Sequence, residues 1–168
     1  MTGVEDMRIR TLNNGDIPKW WALSHEYDSY VKELVPDLTE WYDGNNKNSL
    51  SFDSYIKTKI DKQEAFIAVD EHDDCLGIVA ISRENNRISF FGVSESIDFH
   101  AVGGNLMKYA LENLDSSKPV SITELSSTSQ KIQMHKELLH AFGFSYSCDS
   151  LENGAPVNVF VKPSLIKE

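Results

Sequence analysis

The chain is short of basic charge. Its 16 Lys and Arg face 26 Asp and Glu, giving a formal net charge of −10. That balance argues against nucleic acid as a partner, because phosphate contacts require clustered cations. It permits a cationic substrate, although solubility alone accounts for it. Long apolar runs are missing: nothing approaches eighteen consecutive apolar residues, so no membrane span is expected. Cysteine is scarce. Cys75 and Cys148 are the only two, and neither belongs to a C-x-x-C pair, so a zinc site is unsupported. Two reduced thiols are the expectation, with a disulfide between them left open. The N-terminal stretch MTGVEDMRIR lacks an apolar signal region, which sets the expectation of a cytoplasmic protein.

What is present suits one globular domain. A chain of 168 residues can bury a real core, and 40% apolar with 25% charged residues excludes a disordered composition. Residues 1–6 read as a loose extension. MRIRTL (7–12) alternates as a strand. Asp16 is placed to cap a helix from Pro18 to about Leu34, which Pro36 stops. A second short helix covers 52–61. AFIAV (65–69), CLGIVAIS (75–82) and RISFFGV (87–93) read as three strands, and the turns EHDD and ENN make them antiparallel neighbours. A helix follows the loop that has Ala101, Gly103 and Gly104 at its turn, then a strand at 120–125 and a helix at about 129–142. One of Ser126, Ser127, Thr128 and Ser129 is expected to cap that last helix, and Gly143 to end it in a left-handed conformation. Strands at 144–148 and 157–162 close the chain. The order β-α-α-β-β-β-α-β-α-β-β predicts an α+β fold: a mostly antiparallel sheet flanked by helices.

FFGVSESIDFHAVGGNLMKYALENL (90–114) runs from strand to loop to helix, with Ala101, Gly103 and Gly104 where the helix begins. Small residues there let a phosphate approach the unpaired amides of a helix N-terminus. Close packing of the helix on a strand is the alternative. No G-x-G-x-x-G or Gly-Lys-Ser/Thr sequence is present, so the dinucleotide and P-loop readings fail. With Val93 ending the strand, and Asp98, Ala101, Gly103, Gly104, Leu106 and Met107 following at fitting spacing, the stretch resembles the acetyl-CoA motif of the GNAT superfamily of N-acyltransferases. LLHAFGF (138–144) is similar to the family's ending of its last helix. Asp98 stands where the family has Arg or Gln, and Ala101 where it has Gly.

The resemblance implies a splayed sheet with acetyl-CoA in the opening and direct acetyl transfer to an amine. The acceptor would be a small molecule or a protein or peptide amine. The backbone of Phe91, Gly92 and Val93 would meet the pantetheine arm. The amides of Asp98, Phe99, His100, Ala101, Val102, Gly103, Gly104 and Asn105 would meet the pyrophosphate, and a large side chain at 103 would block it without disturbing the fold. A carboxylate at Asp98 repels phosphate unless it points away. The family's general-acid Tyr falls at Leu139, which cannot donate a proton. His135, four residues earlier, can substitute, and Glu124 is a candidate base. The competing descriptions are a surface histidine and a solvated strand-end glutamate. Tyr30, Trp41 and Tyr42 are the candidate acceptor-binding residues, while Trp20, Leu23 and Tyr27 have core spacing. A GNAT-fold binding module that holds CoA, a metabolite or a protein partner without catalysis is the second reading. A homodimer is left open.

Overall fold

A computed structural model describes residues 7–34, 47–95, 97–152 and 154–165. Seven strands form one sheet: β1 (Arg8–Thr11), β2 (Ala65–Val69), β3 (Cys75–Ser82), β4 (Arg87–Val93), β5 (Val120–Leu125), β6 (Ser145–Glu152) and β7 (Ala155–Lys162). Their order across the sheet is β1-β2-β3-β4-β5-β7-β6, and only β4 and β5 run parallel. The helices are α1 (Ile17–Glu26), α2 (Asp28–Leu34), α3 (Lys47–Asp61), α4 (Phe99–Glu112) and α5 (Gln130–Ala141). The α+β expectation holds.

Strand periodicity divides the core into two layers. On β2, Phe66 and Ala68 join the cluster beneath α4 and α5, while Ala65, Ile67 and Val69 join the one beneath α1 and α3. With both faces covered, β2 reads as the unbroken apolar run AFIAV. Helix α4 buries Phe99, Val102, Gly103, Leu106, Met107 and Ala110, a stripe at helical spacing. Ser129 caps α5, its hydroxyl accepting from the Ile132 amide at 3.4 Å. Gly143 ends α5 at φ +93°, and the Phe144 amide bonds back to the Leu139 carbonyl at 2.9 Å.

Three expectations need correction. The helix expected over Pro18–Leu34 is two helices, broken at Tyr27, whose amide reaches back only to Ser24 at 3.1 Å. Asp16 sits at the N-cap of α1 but does not cap with its side chain. Its carboxylate instead takes Arg10 at 2.7 Å and the Asn13 amide at 2.9 Å. Strand β6 runs to Glu152, beyond the expected end at Cys148. It is an edge strand held by backbone pairing with β7 and exposed along its whole length, so no apolar pattern marks it.

Strand β4 sets up the site. One edge pairs with β3 at six positions from Gly77↔Val93 to Ser82↔Arg87. The other edge meets β5 at a single position, Arg87↔Ser121, and then diverges. Within β4, Ser89 is an extra residue, because Ala80 faces Phe90 while Ile81 faces Ile88. This bulge puts Ile88, Phe91 and Val93 in the α4/α5 cluster and Phe90 against the α1/α3 cluster.

Candidate active site

The opening between β4 and β5 is filled at its apex by side chains. On β5, Val120, Ile122 and Glu124 share the face turned to α5 and are all buried. On α5, His135 lies on the buried stripe with Ile132, Leu138 and Leu139. The two polar residues meet, with His135 Nδ1 3.2 Å from Glu124 Oε2. Neither is a surface group: His135 is 2% exposed and Glu124 7%, which corrects both solvated descriptions. A buried polar pair of this kind stands only when its members are hydrogen-bonded. The imidazole packs against Phe91 and Phe99, with ring centroids 5.3 and 5.0 Å away.

Tyr27 completes the arrangement. The break after α1 turns its side chain inward, and its hydroxyl lies 3.0 Å from His135 Nε2. The Val93 amide donates to that hydroxyl at 3.0 Å, and the hydroxyl lies 3.2 Å from the Val93 carbonyl. Lys131 Nζ donates to the same carbonyl at 2.8 Å. With Nδ1–H donating to the Glu124 carboxylate, Nε2 accepts from the phenol. With both ring nitrogens protonated, Nε2–H donates to the phenol oxygen, which donates to the Val93 carbonyl. The two states differ by one proton, which the apex can take up or release without any heavy atom moving. Burial pushes the Tyr27 phenol well above its ordinary range. Burial lowers the Lys131 ammonium, against the opposing pull of Glu26 and Glu95.

A cavity of about 450 Å³ opens from this apex toward α1 and α2. Trp20, Asp28, Tyr55, Phe90 and Glu152 line it together with the apex residues. Among the described residues, neither Lys nor Arg lines it.

The loop before α4 departs from expectation. Asp98 is the N-cap, with its carboxylate accepting from the Ala101 amide at 3.2 Å. It thereby fills one of the donors expected to meet a phosphate. Gly103 is buried in the α4/α5 layer, and a Cβ there would lie 3.1 Å from Leu138 and 3.5 Å from Phe91. Its smallness serves packing, so a large side chain at 103 would disturb the fold, contrary to expectation. Gly104 does face open space, with nothing within 4 Å of an added Cβ. The helix's own ladder leaves the amides of Phe99 and His100 without an intrahelical partner, and donors of this kind at a helix N-terminus suit an anionic group. Val102 is core, and Asn105 bonds back to the Ala101 carbonyl at 2.8 Å. Phe91 and Gly92 lie on the splayed edge, where a Cβ on Gly92 would meet the Tyr27 ring at 3.1 Å.

Leu139, 1% exposed, lies in the core, and a phenol reaches the apex from α1 instead. Tyr30 packs on the Tyr27 ring, centroids 5.9 Å apart, and is not among the cavity's lining residues. Trp41 and Tyr42 lie outside the described residues. The sequence reading missed Tyr27, Asp28 and Lys131 as site residues. Tyr27 carried a signal, since it sits at core spacing behind Trp20 and Leu23 with a hydroxyl that burial obliges to find a partner.

No protein-family model and no curated protein matches the chain in sequence. Solved structures do match its fold. A phosphinothricin acetyltransferase of the GNAT superfamily from Sinorhizobium meliloti, solved with AcCoA, superposes with TM-score 0.66 at 11% identity, over 95% of this chain and 89% of that one. A GNAT-family acetyltransferase from Streptococcus agalactiae gives 0.62 at 15% identity, over 96% of each chain. Spermidine N-acetyltransferase from Vibrio cholerae, solved with CoA and spermine, gives 0.59 at 12% identity, over 95% and 96%. The chain has the fold of the GNAT acetyltransferases.

Proposed function

We propose that the chain is an acetyl-CoA-dependent N-acetyltransferase that acts on an amine by direct transfer. The observation that carries this reading is the hydrogen-bonded series Glu124–His135–Tyr27 at the apex of the β4/β5 opening. Acetyl-CoA, when bound, supplies an activated acyl thioester. The amides of Phe99 and His100 and the open backbone at Gly104 would hold its pyrophosphate, and the β4 edge at Phe91 to Val93 its arm. His135 serves as the base that accepts the amine proton, with Glu124 orienting the ring and stabilising the imidazolium. Tyr27, protonated at neutral pH because burial raises its pKa, donates to the leaving thiolate and regains its proton from His135 Nε2. The proton leaving the amine thus ends on the thiol, and the charge of the apex is the same before and after the transfer.

The binding-module reading keeps one specific observation in its favour. Both backbone groups of Val93 already have partners in Tyr27 and Lys131, so an arm pairing there must displace them. Thermal melts with acetyl-CoA, followed by coenzyme A release over a panel of primary amines, decide between the two. Acetyl-CoA at a hundredfold excess over its Kd stabilises by about 2.7 kcal/mol, roughly 5–10 °C for a chain of this size. No shift at millimolar acetyl-CoA sinks the transferase reading. A shift without turnover on any amine favours the module.

A further inference from the structure

We propose that the cavity beside α1 and α2 holds a compact organic cation with an apolar body, and that Asp28 is the anchor for its positive charge. This rests on the transferase reading only in naming the class of acceptor; the cation site itself stands on the cavity. Among the described residues three carboxylates line the cavity, and two are engaged. Glu124 is bonded to His135. Glu152 accepts from the Thr123 hydroxyl at 2.9 Å and lies 3.7 Å from Arg87. Asp28 Oδ2 lies 2.6 Å from His25 Nδ1, whose N–H it can accept, but its Oδ1 has no partner among the described residues, although the residue is only 7% exposed. A buried carboxylate oxygen without a donor is costly in a folded protein, and a ligand ammonium would meet that need. Burial also raises the Asp28 carboxyl, in keeping with a charge that the protein alone does not satisfy.

The walls select what accompanies the charge. The Trp20 ring lies 6.0 Å from Phe90 and 6.2 Å from Tyr55, centroid to centroid, and all three line the cavity with Trp21. Aromatic faces attract a desolvated cation and bury an apolar body. Trp20 is 2% exposed, and its Nε1 has no acceptor among the described residues, so the same wall offers an unmet donor to a bound molecule. A cavity of about 450 Å³ suits a drug-sized or smaller ligand. Among the described residues no Lys or Arg lines it, which disfavours anions.

Tryptophan fluorescence of the whole protein, without acetyl-CoA, tests this with phenethylamine and its neutral isostere 2-phenylethanol. The amine is expected to bind at least about tenfold tighter, the effect of roughly 1.4 kcal/mol. Asp28→Asn, with folding checked by circular dichroism, is expected to abolish that preference, and Glu152→Gln to retain it. Equal binding of amine and alcohol to the parent protein overturns the proposal. So does a preference that survives Asp28→Asn or disappears in Glu152→Gln. If Asp28→Asn does not fold, the parent comparison and the Glu152→Gln variant decide by the same criteria. An Asp28-dependent preference in a protein that acetyl-CoA does not stabilise retains the cation site and discards the transferase. Acetyl transfer indifferent to Asp28 and to charge does the reverse.

Discussion

The two edges of β4 make opposite uses of one strand. Along β3 it is paired at six positions, and its backbone groups are satisfied by another backbone. Along β5 it is paired once. At its free end, Val93 is fully buried, yet its amide and carbonyl are met by Tyr27 and Lys131. Buried backbone must find partners, and side chains can leave where a neighbouring strand cannot. The closed edge is held by backbone, and the open end by side chains.

That contrast can be broken most forcefully from the closed side. Ile78, fully buried on β3 opposite Gly92, is predicted to cost about 2–5 kcal/mol on truncation to Ala through transfer and cavity terms. Urea unfolding measures it, and a loss below 1 kcal/mol would mean that this edge is not the rigid one. On the open side, Tyr27→Phe leaves the Val93 amide and His135 Nε2 short of a partner. Its predicted stability loss is smaller, about 1–3 kcal/mol. Turnover is predicted to fall by about 10²–10⁴-fold, the usual worth of general acid–base catalysis, with a smaller change in acetyl-CoA affinity. A variant that turns over normally would remove Tyr27 from the chemistry and leave it as a plug.

Alkali sharpens the comparison next. Burial raises the phenol of Tyr27 and pushes that of Tyr55 up to about 12. Both phenols titrate near pH 10 in the unfolded chain. Folded pKa values above unfolded ones mean that the stability is whole below pH 10. It drains as pH rises, at about 1.4 kcal/mol per unit for each phenol, until the folded group titrates, near 12 for Tyr55. Denaturant titrations between pH 9 and 12 are predicted to show this fall, shallower by one phenol in Tyr27→Phe. The smallest effect is expected at Lys131→Met, which releases one bond to the Val93 carbonyl. Stability is predicted to change by no more than about 1 kcal/mol, and acetyl-CoA affinity to rise roughly fivefold as a competitor is lost. Weaker binding in this variant would make Lys131 a ligand contact instead of an obstacle.

Much of this was legible before any coordinates. The runs AFIAV, CLGIVAIS and RISFFGV gave the antiparallel strands because they are short, rich in β-branched and aromatic residues, and bounded by turn chemistry. Glu124 and His135 were found, but their surroundings were misjudged. Val120-Ile122-Glu124 alternates onto one face, and Ile132-His135-Leu138-Leu139 keeps helical core spacing, so both polar groups were already marked as interior. The break at Tyr27 left no such mark, because its cause is tertiary: the ring is drawn to Val93 and His135, each more than 60 residues away in sequence. Gly103 and Gly104 look alike in the sequence, yet packing turns one inward and the other outward. β6 was cut short because an exposed edge strand needs no apolar pattern to pair.

Ser89 works like an inserted letter in a text read two at a time. Up to Ile88 the even positions of β4 face α4 and α5; beyond Ser89 the odd ones do. One residue too many thus changes the reading frame of the strand halfway along. It lets Phe91 and Val93 back the relay while Phe90, next in line, faces the cavity. Were Ser89 instead paired with Ala80 in an unbulged strand, Phe90 would stand where Phe91 belongs, and the wall of one compartment would be exchanged for the wall of the other.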